Sequence, residues 1–135
     1  MQNTTDLLQK AINTIRNKIP HVLAVYQFGS SVTGGEHLDS DVDLAVLSTE
    51  KIDFIVIGRL MEDLQSVFKK KVDVVDLFNA NTVLKSEIAY HGKRIYCVDP
   101  YFCDLFEVTA ISKLLFLNEE QKELLNDIKK RGSIY

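Results

Sequence analysis

Hydrophobic residues along the chain form two kinds of pattern, a helical spacing and short continuous runs. Each pattern indicates the type of element that the stretch forms. At residues 4–19 and 53–70 the apolar residues recur at helical spacing, so each stretch has one apolar face. Between and after these helices lie short apolar runs rich in β-branched and aromatic residues, which are typical of buried strands. We predict strands at 22–28, 41–47, 72–78 and 94–98.

The C-terminal half adds two further helical regions. Asn79 or Asn81 can cap a helix over 82–91 that ends at Gly92. Pro100 separates the last strand from a helical region at 101–117, with a second segment at 119–130. Residues 101–117 are unusually apolar for an exposed helix, so this region either packs on the sheet or binds a partner. Its three charged residues, Asp104, Glu107 and Lys113, exclude a membrane span.

The order of elements is helix, strand, short helix, strand, helix, strand, helix, strand, helix. It predicts an α/β (α+β) domain with a small mixed sheet flanked by helices. A length of 135 residues suits a single domain, 1–135. Within it we expect a core over about 5–100 and a C-terminal helical segment over about 101–135.

Bulk charge and the N-terminus narrow the function classes. The net charge of −3 argues against a general nucleic-acid binder, because neutralising phosphates requires a basic surface. The N-terminus has no signal-peptide pattern, and the chain has no run of about 18 apolar residues. We therefore expect a cytoplasmic protein with no membrane association.

Cys97 and Cys103 are the only two cysteines. Their spacing matches no zinc-binding pattern, and no histidine lies in a useful register near them. We expect both thiols to be reduced and partly buried.

The candidate chemistry lies in residues 29–43, which read GSSVTGGEHLDSDVD. Asp41 and Asp43 are two positions apart on a predicted strand, so their side chains point to the same face. Two carboxylates this close repel each other unless a cation lies between them. Mg²⁺ prefers one or two protein carboxylates, with substrate phosphate oxygens completing its octahedron. The pair therefore predicts a metal site for a phosphate-containing substrate.

Gly29 and Ser30 are expected to form the opposite wall of this site. A glycine allows the backbone to approach a ligand closely. A short helix should follow, broken at Gly34 and Gly35, and its N-terminal N–H groups would point at a bound anion. The Ser30 hydroxyl can hold a phosphate, and we include Ser31 with Gly29 and Ser30 as nucleotide-binding residues.

A third carboxylate would complete the metal site, and the third strand offers two. Asp73 and Asp76 have opposite parity, so only one of them can face Asp41 and Asp43. We prefer Asp73, at the entry of the strand, and keep Asp76 as the alternative. Three carboxylates could hold two Mg²⁺ ions, and the third could also accept the proton of the attacking hydroxyl.

Three lysines, Lys69, Lys70 and Lys71, lie at the end of the second long helix and lead into the third strand. They can be a solvated helix C-terminus that matches the helix dipole. They can also contribute electrostatically to polyphosphate binding.

The motif resembles the nucleotidyltransferase superfamily of the DNA polymerase β type, whose hallmark is Gly-Ser, ten residues and Asp-x-Asp. These positions are Gly29, Ser30, Asp41 and Asp43. More narrowly, the chain resembles the minimal nucleotidyltransferases, with YQFGSSVTGG, SDVDLAVL, KKVDVVDL and HGKRIYCVD over about residues 5–100. The resemblance implies a polymerase β-like fold, with Asp41, Asp43 and a third acid as catalytic and metal-binding residues.

The same resemblance implies a biological role. Minimal nucleotidyltransferases are commonly paired with a HEPN-domain ribonuclease toxin, and they act as the antitoxin. They transfer AMP from ATP to a tyrosine of that toxin, with Mg²⁺. The implied protein is therefore a protein adenylyltransferase with ATP as substrate, a HEPN toxin as partner and a possible hetero-oligomeric state.

Two other functions remain open. One is a small-molecule nucleotidyltransferase of the aminoglycoside-modifying kind, although such enzymes usually carry an extra acceptor-binding domain. The other is a non-catalytic antitoxin that neutralises its toxin by docking, although the intact acidic motif argues against lost catalysis.

Overall fold

The computed structural model describes residues 4–29 and 41–131. The expected short helix after Ser30 lies outside these ranges. The major elements run in the order α1 (Thr4–Lys18), β1 (Val22–Phe28), β2 (Val42–Ser48), α2 (Phe54–Phe68), β3 (Val72–Asp76), α3 (Thr82–His91), β4 (Lys93–Cys97) and α4 (Pro100–Arg131).

The four strands form one mixed sheet in the order β3-β2-β1-β4. β1 runs antiparallel to both of its neighbours, β2 and β4, whereas β2 and β3 run parallel. A mixed sheet with flanking helices confirms the predicted fold class.

Alternating side chains of the strands bury two separate apolar layers. One layer packs against α1 and α2 and includes Val42, Leu44 and Val46 of β2. The other contains Ala45 and Leu47 of β2 and is covered by α3 and α4. Residue 43 has the parity of this second layer, so the Asp-x-Asp motif belongs to the α3 and α4 side of the sheet.

β3 is shorter than the sequence predicts. It ends at Asp76 instead of continuing to Phe78, and a 3₁₀ turn follows at Leu77–Asn79. The Asp76 carboxylate accepts a hydrogen bond from the Phe78 N–H at 3.0 Å, so a side-chain cap ends the strand.

α4 is one continuous helix, whereas the sequence suggested two segments. Pro100 is its first residue, where the missing N–H costs nothing, and residues 101–131 contain no glycine or proline to interrupt it. The Asp99 carboxylate accepts from the Tyr101 N–H at 3.1 Å. The first part of α4 packs on the sheet, but Leu115 and Phe116 are exposed. No helix in the described ranges is both long and apolar enough to cross a membrane.

The expectation of two reduced cysteines is wrong for this structure, in which Cys97 and Cys103 form a disulfide. Cys97 ends β4, and Cys103 lies in the first turn of α4. The short connection between the two elements brings their Cα atoms to 6.6 Å, within the range that a disulfide spans. Six positions of sequence separation do not reveal this proximity, because it depends on where α4 begins.

Candidate active site at one edge of the sheet

Three carboxylates gather where β2 and β3 begin. The two strands are parallel, so their first residues lie at the same edge of the sheet, and Asp43 is the register partner of Asp73. Asp41 immediately precedes β2 and shares the parity of Asp43. All three are partly buried. We call Asp41, Asp43 and Asp73 the acidic edge.

The negative charge of Asp43 is unfavourable within the acidic edge. Burial raises the pKa of Asp43 above its usual value, and the negative charges of Asp73 and Asp41 raise it further. The positive charge of Lys71 acts in the opposite direction. The coupling places the three carboxylates within one electrostatic site.

Gly29 borders the same site from β1. Phe28, the last residue of β1, is paired with Asp43, so Gly29 follows at the edge where the acids lie. Its φ of +80° is a conformation that residues with side chains rarely adopt, and a β-carbon there would lie 2.3 Å from Asp43 Oδ2. The backbone conformation therefore favours glycine here, and a side chain would also crowd the Asp43 carboxylate. Ser30 and Ser31, the other predicted nucleotide-binding residues, lie outside the described ranges.

The alternative third acid, Asp76, has another task. Its carboxylate accepts hydrogen bonds from the Ile52 N–H at 2.9 Å and from the Phe78 N–H at 3.0 Å. These bonds fix the segment that precedes α2 and the turn after β3. Asp73, in contrast, lies beside Asp43, so the structure brings the preferred acid to the site and gives Asp76 a structural role.

The carboxylates suit a divalent cation that is bound together with a substrate. Within the described part of the chain, no group of three or more His, Cys, Asp or Glu side chains is arranged to hold a metal ion by itself. Mg²⁺ seldom uses a cage made only of protein, because it usually takes one or two carboxylates and completes its shell with water and substrate phosphates. The mutual repulsion at Asp43 is relieved by such a cation, so the residues fit Mg²⁺ bound with a nucleotide.

A second charged group lies on the same face of the sheet, and the sequence did not predict it. Arg94 of β4 forms ion pairs with Asp104 and Glu107 of α4. Tyr26 of β1 donates its hydroxyl proton to Glu107 Oε2 at 2.7 Å. Burial and this hydrogen bond raise the pKa of Tyr26. We call these four residues the Arg94 clamp.

The clamp joins α4 to the sheet, and it engages the Arg94 side chain within the protein. Its guanidinium is already shared between two carboxylates. The one sequence signal was the spacing of Asp104 and Glu107, which places two acids on one helical face. It could not identify Arg94 as their partner.

Comparisons with known proteins agree with this geometry. Residues 9–101 match the family described as polymerase beta, nucleotidyltransferase. The protein adenylyltransferase MntA of Shewanella oneidensis is 34% identical over 119 residues, which cover 88% of this chain and 85% of the relative.

Solved structures show the same fold over nearly the whole chain. A crystal structure of a toxin–antitoxin with AMP-PNP matches with a TM-score of 0.80 and 34% identity, covering 90% of this chain and 98% of that one. A structure of a tri-AMPylated Shewanella oneidensis HEPN toxin in complex with its MNT antitoxin matches with a TM-score of 0.74 and 31% identity, covering 91% and 96%. The resemblance inferred from the Gly-Ser and Asp-x-Asp motif is thus confirmed, and the chain belongs to the polymerase β-type nucleotidyltransferase family.

Proposed function

We propose that this protein is a Mg²⁺-dependent protein adenylyltransferase. It acts as an antitoxin by transferring AMP from ATP to a tyrosine of a cognate HEPN ribonuclease toxin. The observation that carries this proposal is the pairing of Asp43 with Asp73 across β2 and β3, in a chain 34% identical to a protein adenylyltransferase.

Each part of the site has a proposed role. Asp41, Asp43 and Asp73 would hold two Mg²⁺ ions, while Gly29, Ser30 and Ser31 would bind the triphosphate. When bound, the metal ions would supply charge stabilisation at the α-phosphate and at the leaving group.

The acceptor hydroxyl comes from the partner protein. The tyrosine oxygen attacks the α-phosphorus of ATP and forms a new O–P bond. The bond between the α-phosphorus and the bridging oxygen breaks, and pyrophosphate leaves with its electron pair. Asp73 would accept the proton of the tyrosine hydroxyl. Accepting this proton is the contribution of the chain's own residues to the step.

The nucleotide and the partner are supported by similar proteins. One matching structure contains AMP-PNP, an ATP analogue. Another contains an AMPylated HEPN toxin with its antitoxin. On this chain, Tyr101, Leu105, Val108, Leu115 and Phe116 of α4 are more than half exposed. So many exposed apolar side chains on one helix support a protein partner there.

The family match also supports the proposed organisation of the chain. It spans residues 9–101, close to the catalytic core proposed at about 5–100. Residues 101–135 would then form a C-terminal helical segment of the same domain, and α4 would present its exposed residues to the partner.

The test is a transfer assay with a HEPN-domain protein from the same genome. ATP labelled at the α-phosphate should label that protein in the presence of Mg²⁺, and EDTA should prevent the reaction. Peptide mass spectrometry should locate AMP on a tyrosine, and the ribonuclease activity of the partner should fall as the label accumulates. A chain carrying both Asp41→Asn and Asp43→Asn should bind the partner but transfer no label.

Three results would contradict the proposal in different ways. Labelling from the γ-phosphate would identify a kinase. Neutralisation of the ribonuclease without any label would indicate a docking antitoxin. Labelling of an aminoglycoside instead of the protein would favour a small-molecule nucleotidyltransferase.

A further inference from the structure

Lys71 lies directly beside the acidic edge, at a position that the catalytic roles above leave unused. α2 ends at Phe68, and Lys69 follows in a left-handed conformation with φ 55°, its N–H donating to Gln65 O at 2.7 Å. This cap reverses the chain so that Lys71 leads into β3. Lys69, Lys70 and Lys71 are all exposed.

Hydrogen bonding fixes the backbone of Lys71 against β2. The Val42 N–H, between the two aspartates of the motif, donates to the Lys71 carbonyl at 2.9 Å. Two residues later, Asp73 pairs with Asp43. Lys71 immediately precedes β3 with the parity of Asp73, and its charge acts on Asp43, which places it on the side of the acidic edge. Lys70 has the opposite parity.

The ammonium group of Lys71 is not engaged elsewhere in the described structure. It takes part in none of the ion pairs found within residues 4–29 and 41–131, yet its charge acts on Asp43. Arg94, a cation on the same face of the sheet, is held in the Arg94 clamp. An acidic edge that must accept a polyanionic nucleotide needs positive charge besides its metal ions. Lys71 is well placed to provide it.

We propose that Lys71 is a positioning residue that binds the polyphosphate of the nucleotide and holds the leaving pyrophosphate group against the acidic edge. This inference rests on the proposed function, because it assumes that a nucleoside triphosphate binds at these carboxylates. An ammonium group suits the task because it pairs with phosphate oxygens as a point charge. In this role, Lys71 would make the protein bind a nucleoside triphosphate more tightly than a nucleoside monophosphate.

A simpler role would be that of a counterion. In that case Lys71 would only offset the charge of the carboxylates in the ligand-free protein. Its loss would then strengthen Mg²⁺ binding, because a competing cation disappears, and triphosphate affinity would not fall. The two roles therefore predict opposite results for one variant.

The experiment compares Lys71→Met with Lys70→Met, a matched loss of charge one residue away. Calorimetric titration with AMP-PNP in the presence of Mg²⁺ should show affinity weakened by about 10- to 100-fold for Lys71→Met, the range expected for a lost charge-assisted bond to phosphate. Affinity for AMP should stay nearly unchanged, and Lys70→Met should behave like the wild type. Lys71→Arg should recover most of the triphosphate affinity, because it restores the charge. Circular dichroism confirms that each variant is folded.

Equal triphosphate affinity in Lys71→Met and Lys70→Met would overturn the inference, as would an equal loss of AMP and AMP-PNP binding. Tighter Mg²⁺ binding by Lys71→Met without a loss of AMP-PNP affinity would establish the counterion role instead. The proposed function fails separately, when wild-type protein binds AMP-PNP but labels no HEPN partner. A wild-type protein that binds no AMP-PNP would overturn both.

Discussion

The acidic edge and the Arg94 clamp lie on the same face of one sheet, yet they treat their carboxylates in opposite ways. Along β1, Tyr26 of the clamp is two residues from Phe28, the partner of Asp43, a distance of about 7 Å. In the clamp, both carboxylates are paired with the guanidinium, and Glu107 also accepts from the tyrosine hydroxyl. At the edge, the carboxylates mainly face one another, and Lys71 opposes their charge only in part.

This difference separates charges that hold the fold together from charges held ready for a ligand. A partly buried carboxylate without a cation destabilises the folded protein unless something binds to it. The clamp meets that requirement within the chain, whereas at the acidic edge the proposed metal–nucleotide complex would meet it. Unfavourable electrostatics in an otherwise well-satisfied fold are typical of functional sites.

The sharpest way to break the comparison uses the two acids of β3. Asp73→Ala should lower AMP transfer by about 10²- to 10³-fold, because under the proposed function it removes a metal ligand and the proton acceptor. Its thermal stability should be equal to or higher than that of the wild type. Asp76→Ala should keep its transfer activity but lose stability. Its unfolding free energy should be lower by about 1–2 kcal/mol, because two hydrogen bonds to backbone N–H groups are lost. Transfer assays measure the activity of each variant, and urea denaturation measures its stability.

The two alanine variants are each other's control, since both remove one carboxylate from the same short strand. An inactive but stable Asp76→Ala would exchange the roles assigned to the two residues. A strongly destabilised Asp73→Ala would mean that the edge contributes to folding as the clamp does.

The sequence predicted the acidic edge well, because local patterns determine it. Apolar runs define β2 and β3, and the parity of Asp41 and Asp43 follows directly from their spacing. The choice between Asp73 and Asp76 needed the structure, because parity excludes one acid without saying which. It is the hydrogen bond from Ile52, 24 residues away, that gives Asp76 its own task.

The clamp could not be predicted because it depends on tertiary contacts. It joins β1, β4 and α4, and Tyr26 and Glu107 are 81 positions apart. The disulfide between Cys97 and Cys103 is a related case, since it depends on where α4 starts after β4. Local propensity does not encode such contacts, and it cannot say which cation a pair of helical acids will meet.

Removing the cation of the clamp should affect stability and leave the site intact. Arg94→Met should lower the unfolding free energy by about 1–3 kcal/mol, because the partly buried Glu107 loses its cation. The pair with Asp104 should contribute little, since that carboxylate is largely exposed. Affinity for AMP-PNP should not change, because the guanidinium is paired with Glu107 and Asp104. Denaturant unfolding and calorimetry test the two statements.

Lys18→Met is the matched control for the clamp. Lys18 pairs with Asp63 at 3.0 Å on the surface, and losing such an exposed pair should cost only about 0–1 kcal/mol. Loss of AMP-PNP affinity in Arg94→Met, without loss of stability, would place Arg94 in the nucleotide site and remove the contrast between the two regions.

The smallest expected effect concerns Asp43 in the absence of metal. The pKa of Asp43 is raised in the folded protein, so its ionised form destabilises the fold at neutral pH. This loss of stability disappears as the pH falls below the usual carboxyl range, because Asp43 is then protonated in both the folded and the unfolded chain. In EDTA, Asp43→Asn should therefore raise the melting temperature at pH 7 by about 1–3 °C, a small shift because solvent screens a partly exposed group. At pH 3 the variant and the wild type should melt together. Glu62→Gln, which removes one exposed charge elsewhere, should show no such pH dependence.

Adding Mg²⁺ and AMP-PNP should reverse the order of melting temperatures at pH 7, because the wild type gains binding free energy that the Asp43→Asn variant loses. An Asp43→Asn variant that is less stable than the wild type at pH 7 in EDTA would contradict this. The chain itself would then already neutralise the negative charge of the acidic edge, as Arg94 does in the clamp.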